Sequence, residues 1–283
     1  MIPLTMMSDV QTQPVGDLLR DWRRRRRLSQ LDLACEADIS ARHLSFLETG
    51  RSLPSREMVL RLAEQLEIPL RERNALLVAA GYAPVFRERP LIDPTLQAAR
   101  KAIDLVLAGH EPYPALAIDR HWTLVTSNRA VPLLLAGVEP SLLAPPVNVL
   151  RVSLHPRGLA PQIVNLAEWR SHLLARLRRQ IEATADSVLA ELLNELAGYP
   201  IPNGTKYNAP AETDYGGVAV PFQLATGDGV LSFLSTTTVF GTPVDITLSE
   251  LALESFFPAD AATSDTLNRV LKRDEKQIEM MRD

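Results

Sequence analysis

The chain has 283 residues, a length that corresponds to about two domains of ordinary size. Hydrophobic residues make up 46% and charged residues 23%, with a net charge of −4, as is usual for a soluble globular protein. The single cysteine excludes a disulfide scaffold, and no apolar run approaches the ~18 residues of a membrane-spanning helix. Because residues 1–9 also lack a basic and apolar leader, we expect a cytoplasmic protein with no membrane partner.

The charge is distributed unevenly along the chain. Residues 1–90 hold fourteen arginines against twelve acidic residues, a net charge of +2, whereas the remaining residues carry −6. Five of these arginines are consecutive, from Arg23 to Arg27. A basic first module next to an acidic second one suggests that only the first contacts a polyanion. The alternative is that the charges form ordinary solvated faces.

The first module is predicted to be entirely helical. After a disordered tail over residues 1–14, five segments between Val15 and Ala80 carry apolar residues at helical spacing, and Gly81 ends the last of them. Ser29 and Ser40 are good N-caps for the second and third helices. The sequence therefore predicts a compact five-helix bundle over residues 15–88.

The second and third helices are separated by a short turn. Residues 30–48 read QLDLACEADISARHLSFLE, a helix, a turn of about four residues and a second helix. The outward face of that second helix carries Ala41, Arg42, Ser45 and Phe46. Because a duplex major groove is ~12 Å wide and admits one helix, such side chains can reach base edges. Arg42 is the best candidate, since its guanidinium can bond guanine O6 and N7 together.

These helices resemble those of the XRE-type (phage-repressor-like) helix-turn-helix family. The residues that match its pattern are Gln30, Leu33, Ala34, Ile39, Ser40, Leu44, Ser45, Leu47, Glu48, Gly50, Pro54 and Leu62. The resemblance implies that Gln30, Thr49 and Arg51 approach phosphates and that the outward face, with Ser40 at its start, meets the groove. It also implies an ion pair between Arg23 and Glu48.

Some positions of this motif have a second interpretation. His43 fits a phosphate contact or a solvated helix residue equally well. Phe46 could contact a thymine methyl or belong to the core. Ala41 is apolar where many family members place a polar base-reading side chain, which narrows the direct readout of bases.

The second module is predicted to be α+β. After breaks at Gly81–Pro84 and Pro90, a helix follows Asp93, and short strands at Ala115–Ile118 and Trp122–Thr126 form a hairpin. Further expected elements are a helix from Asn128, two helices within 163–197, and strands at 218–224, 230–240 and 244–247. This order predicts an antiparallel sheet with helices on one face.

The order of these elements, a hairpin, a helix started by asparagine and a closing meander, resembles that of a PAS domain. Four segments extend the resemblance to the MmyB-like regulators, an actinobacteria-rich family with an XRE-type head and a PAS-related ligand-binding domain. They read RERNALLVAAGYAP (71–84), LHPRGLAP (154–161), EWRSHLLARLRRQ (168–180) and LSFLSTTTVFGTPVDITLSEL (231–251). The resemblance implies a one-component transcription factor whose domain at 92–260 senses an apolar, fatty-acid-like molecule. A charged, frayed tail is expected over 261–283.

A catalytic reading of the second module finds little support. Neither a nucleophile elbow nor a phosphate-binding loop is present, and the five histidines have no zinc-ligand spacing. We therefore expect no enzyme, no metal and no cofactor, with haem on His155 or His172 as a remote alternative.

The expected ligand pocket is apolar with a few polar groups that fix orientation. We predict that Trp169, Leu173, Phe222 and Phe233 wall it, and that an arginine of the long helix (Arg170, Arg176, Arg178 or Arg179), His155 or Arg157 meets a carboxylate, with Arg170 or His155 foremost. The alternative for each is plain core or a solvated face. A homodimer held by the second domain is also expected. The alternative is a DNA-binding repressor whose second domain only dimerises and binds no ligand.

Overall fold

The computed structural model describes residues 13–200, 220–240 and 245–280, without the side chains of 274–279. The chain divides into two compact units, Met1–Glu88 and Arg89–Asp283. The expected disordered tail over 1–14 lies outside the described residues except for Gln13 and Pro14. The start of the strand expected at 218 and the turn expected at 241–243 also lie outside them.

The first unit consists of short helices, as the sequence predicts. Each buries its periodic leucines, and Leu19, Leu33, Leu44, Leu62 and Leu77 are fully buried. The bounds are α1 Val15–Arg25, α2 Gln30–Glu36, α3 Ala41–Glu48, α4 Arg56–Gln65 and α5 Leu70–Ala79.

Serine side chains start three of these helices. The Ser29 hydroxyl oxygen accepts a hydrogen bond from the Asp32 backbone N–H while the Asp32 carboxylate accepts one from the Ser29 N–H, a complete capping box. Ser40 and Ser55 cap α3 and α4 in the simpler way. Each such cap contributes about 1 kcal/mol and sets the residue at which the helix begins.

Helix α1 lies very close to the end of α3. A Cβ atom added to Gly16 would lie 2.5 Å from the Leu47 carbonyl oxygen and 2.8 Å from that of Glu48. Both oxygens belong to backbone, so a larger residue at this position would push the two helices apart. This contact fixes the rear of α3 and leaves its opposite face outward.

The second unit is an α+β domain with a PAS-like order of elements. Its five-stranded antiparallel sheet has the strand order β2-β1-β5-β4-β3, so that β3, β4 and β5 form a meander. The strands are β1 Ala115–Ile118, β2 Leu124–Ser127, β3 Phe222–Thr226, β4 Gly229–Val239 and β5 Ala252–Pro258. The helices are α6 Gln97–Gly109, α7 Ala130–Leu133, α8 Val149–Leu154, α9 Leu166–Thr184, α10 Ser187–Ala197, α11 Ile246–Ser249 and α12 Ala261–Met280.

Both faces of the sheet are covered, contrary to the expectation of helices on one face. Ala115 and Ala117 of β1 pack with Ile103 and Leu107 of α6. Leu116 and Ile118 point the other way, into the large cluster that includes α8, α9 and α10. The cause is the two-residue period of a strand: β1 is buried at all four positions, so each face needs a partner.

The prediction of a strand at 244–247 was wrong. Ile246 and Thr247 belong to helix α11 and not to a strand, and the strand is β5, six residues further on. Asp245 caps α11 by accepting a hydrogen bond from the Thr247 N–H, which favours a helical turn there.

The expected frayed tail is helix α12. Its Leu267 and Leu271, one helical turn apart, are buried, and the Thr263 hydroxyl oxygen accepts a hydrogen bond from the Ser232 N–H of β4 at 2.9 Å. The charged residues of this segment concealed its narrow apolar stripe.

Candidate nucleic-acid interface and ligand cavity

The outward face of α3 carries an aromatic ring between two arginines. The guanidinium carbon of Arg42 lies 5.3 Å from the centroid of the Phe46 ring, and that of Arg51 lies 5.8 Å from it. Both distances are within the range of a cation–π contact. Phe46 is half-buried because the two arginines cover it. It is not one of the buried core residues.

The two guanidiniums of this face are available to an anion. Within the described part of the chain, neither Arg42 nor Arg51 forms an ion pair, and both are exposed. Ala41, His43 and Ser45 lie beside them and are half-exposed. A planar, uncompensated guanidinium held by a ring matches the bidentate acceptors of guanine or a phosphate.

Three of the expected DNA contacts already have partners within the unit. The Ser40 hydroxyl oxygen accepts from the His43 N–H at 3.1 Å, and the Thr49 hydroxyl donates to the Ser45 carbonyl at 2.7 Å. The Gln30 side-chain amide donates to Glu48 Oε2 at 2.8 Å. As placed, these side chains hold the ends of α2 and α3, and a phosphate contact from Gln30 would require its amide group to leave Glu48.

Glu48 ties α1, α2 and α3 together. Its buried carboxylate accepts hydrogen bonds from Arg23 Nε at 2.6 Å and Arg23 Nη2 at 2.9 Å, and Arg20 Nε lies 3.7 Å away. Burial opposes ionisation of Glu48, but the hydrogen bonds from Arg23 and Gln30 and the charges of Arg23 and Arg20 outweigh it and lower the pKa of this carboxyl. The ion pair implied by the resemblance is thus present in the structure.

The second unit encloses an apolar cavity between the sheet and its helices. Its volume is about 120 Å³. The walls come from β1, β2, β3 and β5 on one side and from α7, α8 and α9 on the other, and most lining residues are Leu, Val, Trp or Phe. An apolar cavity of ~150 Å³ in another protein stays dry and binds benzene, so this one suits a slim apolar group.

Three of the four apolar residues expected at the pocket line this cavity. Trp169 and Leu173 lie one turn apart on α9, and the Trp169 ring packs against that of Phe222 of β3 with ring centroids 4.9 Å apart. The Trp169 Nε1–H donates to the Ser153 hydroxyl at 3.0 Å, which fixes the ring. Phe233 is fully buried behind the wall, with its ring centroid 6.1 Å from that of Phe222.

The structure places His155 and Arg170 outside the cavity lining, which corrects the expected carboxylate contact. Arg170 Nη2 donates to the carbonyl oxygens of Leu196, Ala197 and Tyr199 and so caps the end of α10. The final carbonyls of a helix lack intrahelical partners and attract a cation.

His155 has a structural role as well. Its Nδ1 accepts from the Arg157 N–H at 3.1 Å, and its ring packs edge-on against Tyr199. A Cβ atom on Gly158 would lie 2.2 Å from the Val152 carbonyl oxygen, so the LHPRGLAP segment folds back tightly onto α8. This turn supplies Leu159 to the cavity wall.

The charged residues at the cavity are Arg176 and Glu254. Glu254 of β5 is buried, and Arg176 Nη1 donates to its Oε2 at 3.0 Å while Nη2 contacts its Oε1. The Arg176 guanidinium also lies 4.5 Å from the centroid of the Trp122 ring. The position of Arg176, seven residues after Trp169 and three after Leu173, puts it on the cavity face of α9 and could have singled it out in the sequence. Glu254 offered no such signal.

The pKa of His172, which lies near this pair, is lowered. Burial first, and then the charges of Arg176 and Arg179, lower the pKa of its imidazole, which stacks on Trp169 with ring centroids 5.5 Å apart. The described residues contain no group of three His, Cys, Asp or Glu side chains able to hold a metal ion. None of the described helices combines the length and the apolar composition of a membrane-spanning segment.

Two family models match the chain. Residues 14–76 match the model of a helix-turn-helix domain, and residues 99–270 match that of the MmyB-like transcription regulator ligand binding domain. No curated protein matches.

A solved structure described as an RNA-binding Light-Oxygen-Voltage receptor aligns with 93% of this chain at 12% identity and a TM-score of 0.26. The present chain spans 64% of that receptor, a likeness too weak to support any inference. The second family match covers more than half of the chain, extends through most of the described elements of the α+β unit and includes part of α12. The chain therefore belongs to the MmyB-like transcription regulators, with a helix-turn-helix domain ahead of a ligand-binding domain.

Proposed function

We propose that this protein is a cytoplasmic, sequence-specific regulator of XRE type that reads duplex DNA with α3. In this proposal, its second domain forms a homodimer and binds an apolar, fatty-acid-like small molecule. The observation that carries the proposal is the apolar cavity, which lies in the domain that follows a helix-turn-helix with uncompensated arginines. Catalysis forms no part of the proposal, because the matched families are regulator domains.

The DNA-reading role rests on the difference between the buried and the outward side of α3. Leu44, Leu47 and Glu48 anchor one side of the helix in the bundle, and Arg42 and Phe46 occupy the other. Arg42 would read guanine, and Arg51 would neutralise a phosphate. The Ala41 methyl group and the Phe46 ring would contact thymine methyl groups.

Binding assays on DNA test this role. The Arg42→Ala variant should lose about 1–3 kcal/mol of binding free energy at one base position of a selected operator. Its affinity for unrelated duplexes should change little. Lys101→Ala, which removes an equal charge from an exposed position on α6, should change neither. Equal weakening on all sequences would mean that Arg42 contacts only phosphate, and a wild-type protein that ignores duplexes at low salt would refute the DNA-reading role.

The dimer is proposed because one recognition helix covers few base pairs. Helix-turn-helix dimers read two half-sites ~34 Å apart, one turn of the duplex. A ligand then changes regulation only if it binds the DNA-competent and incompetent dimers with different affinity. Sedimentation of the full chain with and without operator tests this, and a monomer bound to a single half-site would refute it.

A dimerising repressor without a ligand is the second candidate. The volume of about 120 Å³ favours it, because pockets for drug-sized ligands are usually ~300–1,000 Å³. Extraction of the denatured protein followed by mass spectrometry, together with calorimetric titration of alkyl compounds of increasing length, separates the two. The ligand proposal predicts a bound or titratable alkyl compound, whereas an empty extract and no binding heat would favour the repressor.

A further inference from the structure

We propose that Arg24, Arg25 and Arg27, at the end of α1, form a second DNA-binding surface, which holds the phosphate backbone of the duplex beside the groove that α3 reads. These three residues are called the α1 patch below. The inference rests on the proposed DNA-reading function and deepens it, because it names a part of the duplex that α3 does not read and the residues that bind it.

The other two of the five consecutive arginines are bound within the unit. Arg23 donates to the Glu48 carboxylate and, through Nη1, to the Leu28 carbonyl oxygen at 2.8 Å. Arg26 Nε donates to the carbonyl oxygen of Leu66, at the end of α4, at 2.8 Å. These contacts tie the end of α1 to α3 and α4, so the α1 patch is held in place by arginines that do not belong to it.

The charge of the α1 patch is uncompensated. All three of its arginines are exposed, and in the part of the chain that the structure describes none of them forms an ion pair or a side-chain hydrogen bond. The acidic residues nearest in sequence have other partners: the Asp21 carboxylate accepts from Gln13 Nε2 at 2.9 Å, and Asp32 belongs to the capping box of α2. The three guanidiniums are therefore available to a polyanion.

The backbone at Arg27 is of the kind that favours glycine. Its φ of 57° lies in the left-handed region, and the Leu28 N–H donates to the Arg23 carbonyl oxygen at 3.1 Å, which closes the end of the helix. Glycine is the usual residue at such a helix end, because a Cβ atom is disfavoured there. Termination of α1 does not explain an arginine at this position, whereas a contact with an anion does.

The α1 patch lies next to the motif that reads DNA. Arg27 is three residues, at most ~11 Å of chain, before Gln30, the first residue of α2. The Gln30 amide and the Arg23 guanidinium meet at the carboxylate of Glu48, the last residue of α3. Because the major groove is ~12 Å wide, a phosphate backbone runs along each side of a helix that lies in it. The α1 patch supplies positive charge for the backbone at this end of α3.

The salt dependence of DNA binding, measured on the full chain, tests the proposal. Each arginine that neutralises a phosphate contributes about 0.9 to the slope of log K against log salt concentration. The slope of Arg24→Gln/Arg25→Gln/Arg27→Gln should therefore be smaller than that of the wild type by about 2–3. Between about 50 and 200 mM salt, the wild type should lose about 40-fold more affinity than this variant.

Two comparisons show whether the effect comes from phosphate contacts of the α1 patch. The change in slope should be the same on a selected operator and on a duplex of mixed sequence, because phosphates carry no sequence information. The control variant Arg100→Gln/Lys101→Gln/Lys272→Gln removes three positive charges from exposed positions of α6 and α12. It should keep the slope of the wild type.

A single variant separates DNA binding from stability. Arg27→Gly should unfold at a higher temperature than the wild type, because glycine is favoured by the left-handed backbone at this position. It should nevertheless lose about 1 from the slope. A residue with only a structural role would not combine these two effects, and a lower unfolding temperature would contradict the argument that Arg27 is there for its charge.

The outcomes distinguish this inference from the function on which it rests. An unchanged slope in the folded triple variant of the α1 patch, or an equal reduction in the control variant, would overturn the inference and leave base reading by Arg42 intact. If the triple variant does not fold, the slope of Arg27→Gly decides, and an unchanged value overturns the inference. If the wild type binds no duplex at low salt, both the DNA-reading function and this inference fall.

Discussion

Replacement of Glu48 by glutamine should loosen the helix-turn-helix unit, because three helices meet at its carboxylate. Glu48 accepts two hydrogen bonds from Arg23 and one from Gln30, at 2.6, 2.9 and 2.8 Å. A glutamine has one acceptor oxygen, so its NH₂ group would face a donor of Arg23 or Gln30. Loss of one partner of a buried ion pair costs about 3–5 kcal/mol.

We expect the lower end of that range, about 3 kcal/mol. Arg23 keeps its hydrogen bond to the Leu28 carbonyl at 2.8 Å, and 11% of its side chain reaches solvent. Hydrogen exchange of the full chain, read on the amides of α1 and α3, should then show an opening equilibrium about a hundredfold larger, since 1.4 kcal/mol is a factor of ten.

The pH dependence of folding stability in the same variant provides a second test. Because the pKa of folded Glu48 is lowered, its contribution to stability is complete above the ordinary value of about 4.3 and is lost as pH falls through the folded pKa. The stability difference between wild type and Glu48→Gln should shrink over that acid range. Glu36→Gln, at an exposed position of α2, should stay within about 0.5 kcal/mol of wild type. A Glu48→Gln protein as stable as this control would refute the reasoning.

Three further predictions follow from the same contacts. Phe46→Ala removes the ring under Arg42 and should reduce discrimination between operator and non-operator DNA, measured by competition binding, by about 1 kcal/mol; unchanged discrimination would mean that the ring does not position the guanidinium. Leu173→Phe should fill part of the cavity and abolish calorimetric binding of alkyl ligands at a stability cost of about 1–3 kcal/mol, and retained binding would place the ligand elsewhere. Because the pKa of His172 is lowered in the folded state, stability should fall as pH drops below the ordinary histidine value of about 6.5 toward the lowered pKa. In thermal unfolding His172→Gln should show a smaller fall, and an equal fall would assign the effect to other groups.

The helices of the first unit could be read from the sequence because their signals are local. The serine caps at positions 29, 40 and 55 and the leucine periodicity act over one or two turns, and α1 to α5 form where these signals lie. The apolar face of α9 was predictable for the same reason, and with it the cavity positions of Trp169 and Leu173.

The position of charged side chains at the cavity was less predictable. Arginines recur along α9, and the sequence interpretation favoured Arg170, which caps α10, although helical spacing places Arg176, which pairs with β5, on the cavity face. Glu254 lies 78 residues from Arg176, and nothing local announces that partnership. The end of the chain was misread for a related reason: β5 and α12 are specified by the sheet and core that they complete, more than by their own pattern.

The sequence by itself determined which segments become the helices of the first unit, which face of α3 stays outward, and that the second domain mixes helices with a meander. Those features follow from periodicity and capping, whose physics operates within a few residues. Only the tertiary structure decided that Arg42 and Arg51 share the Phe46 ring, that the sheet is covered on both faces, and that an ion pair lines the cavity. Each of these depends on residues brought together by packing, where burial and the partner's charge set what a side chain can do.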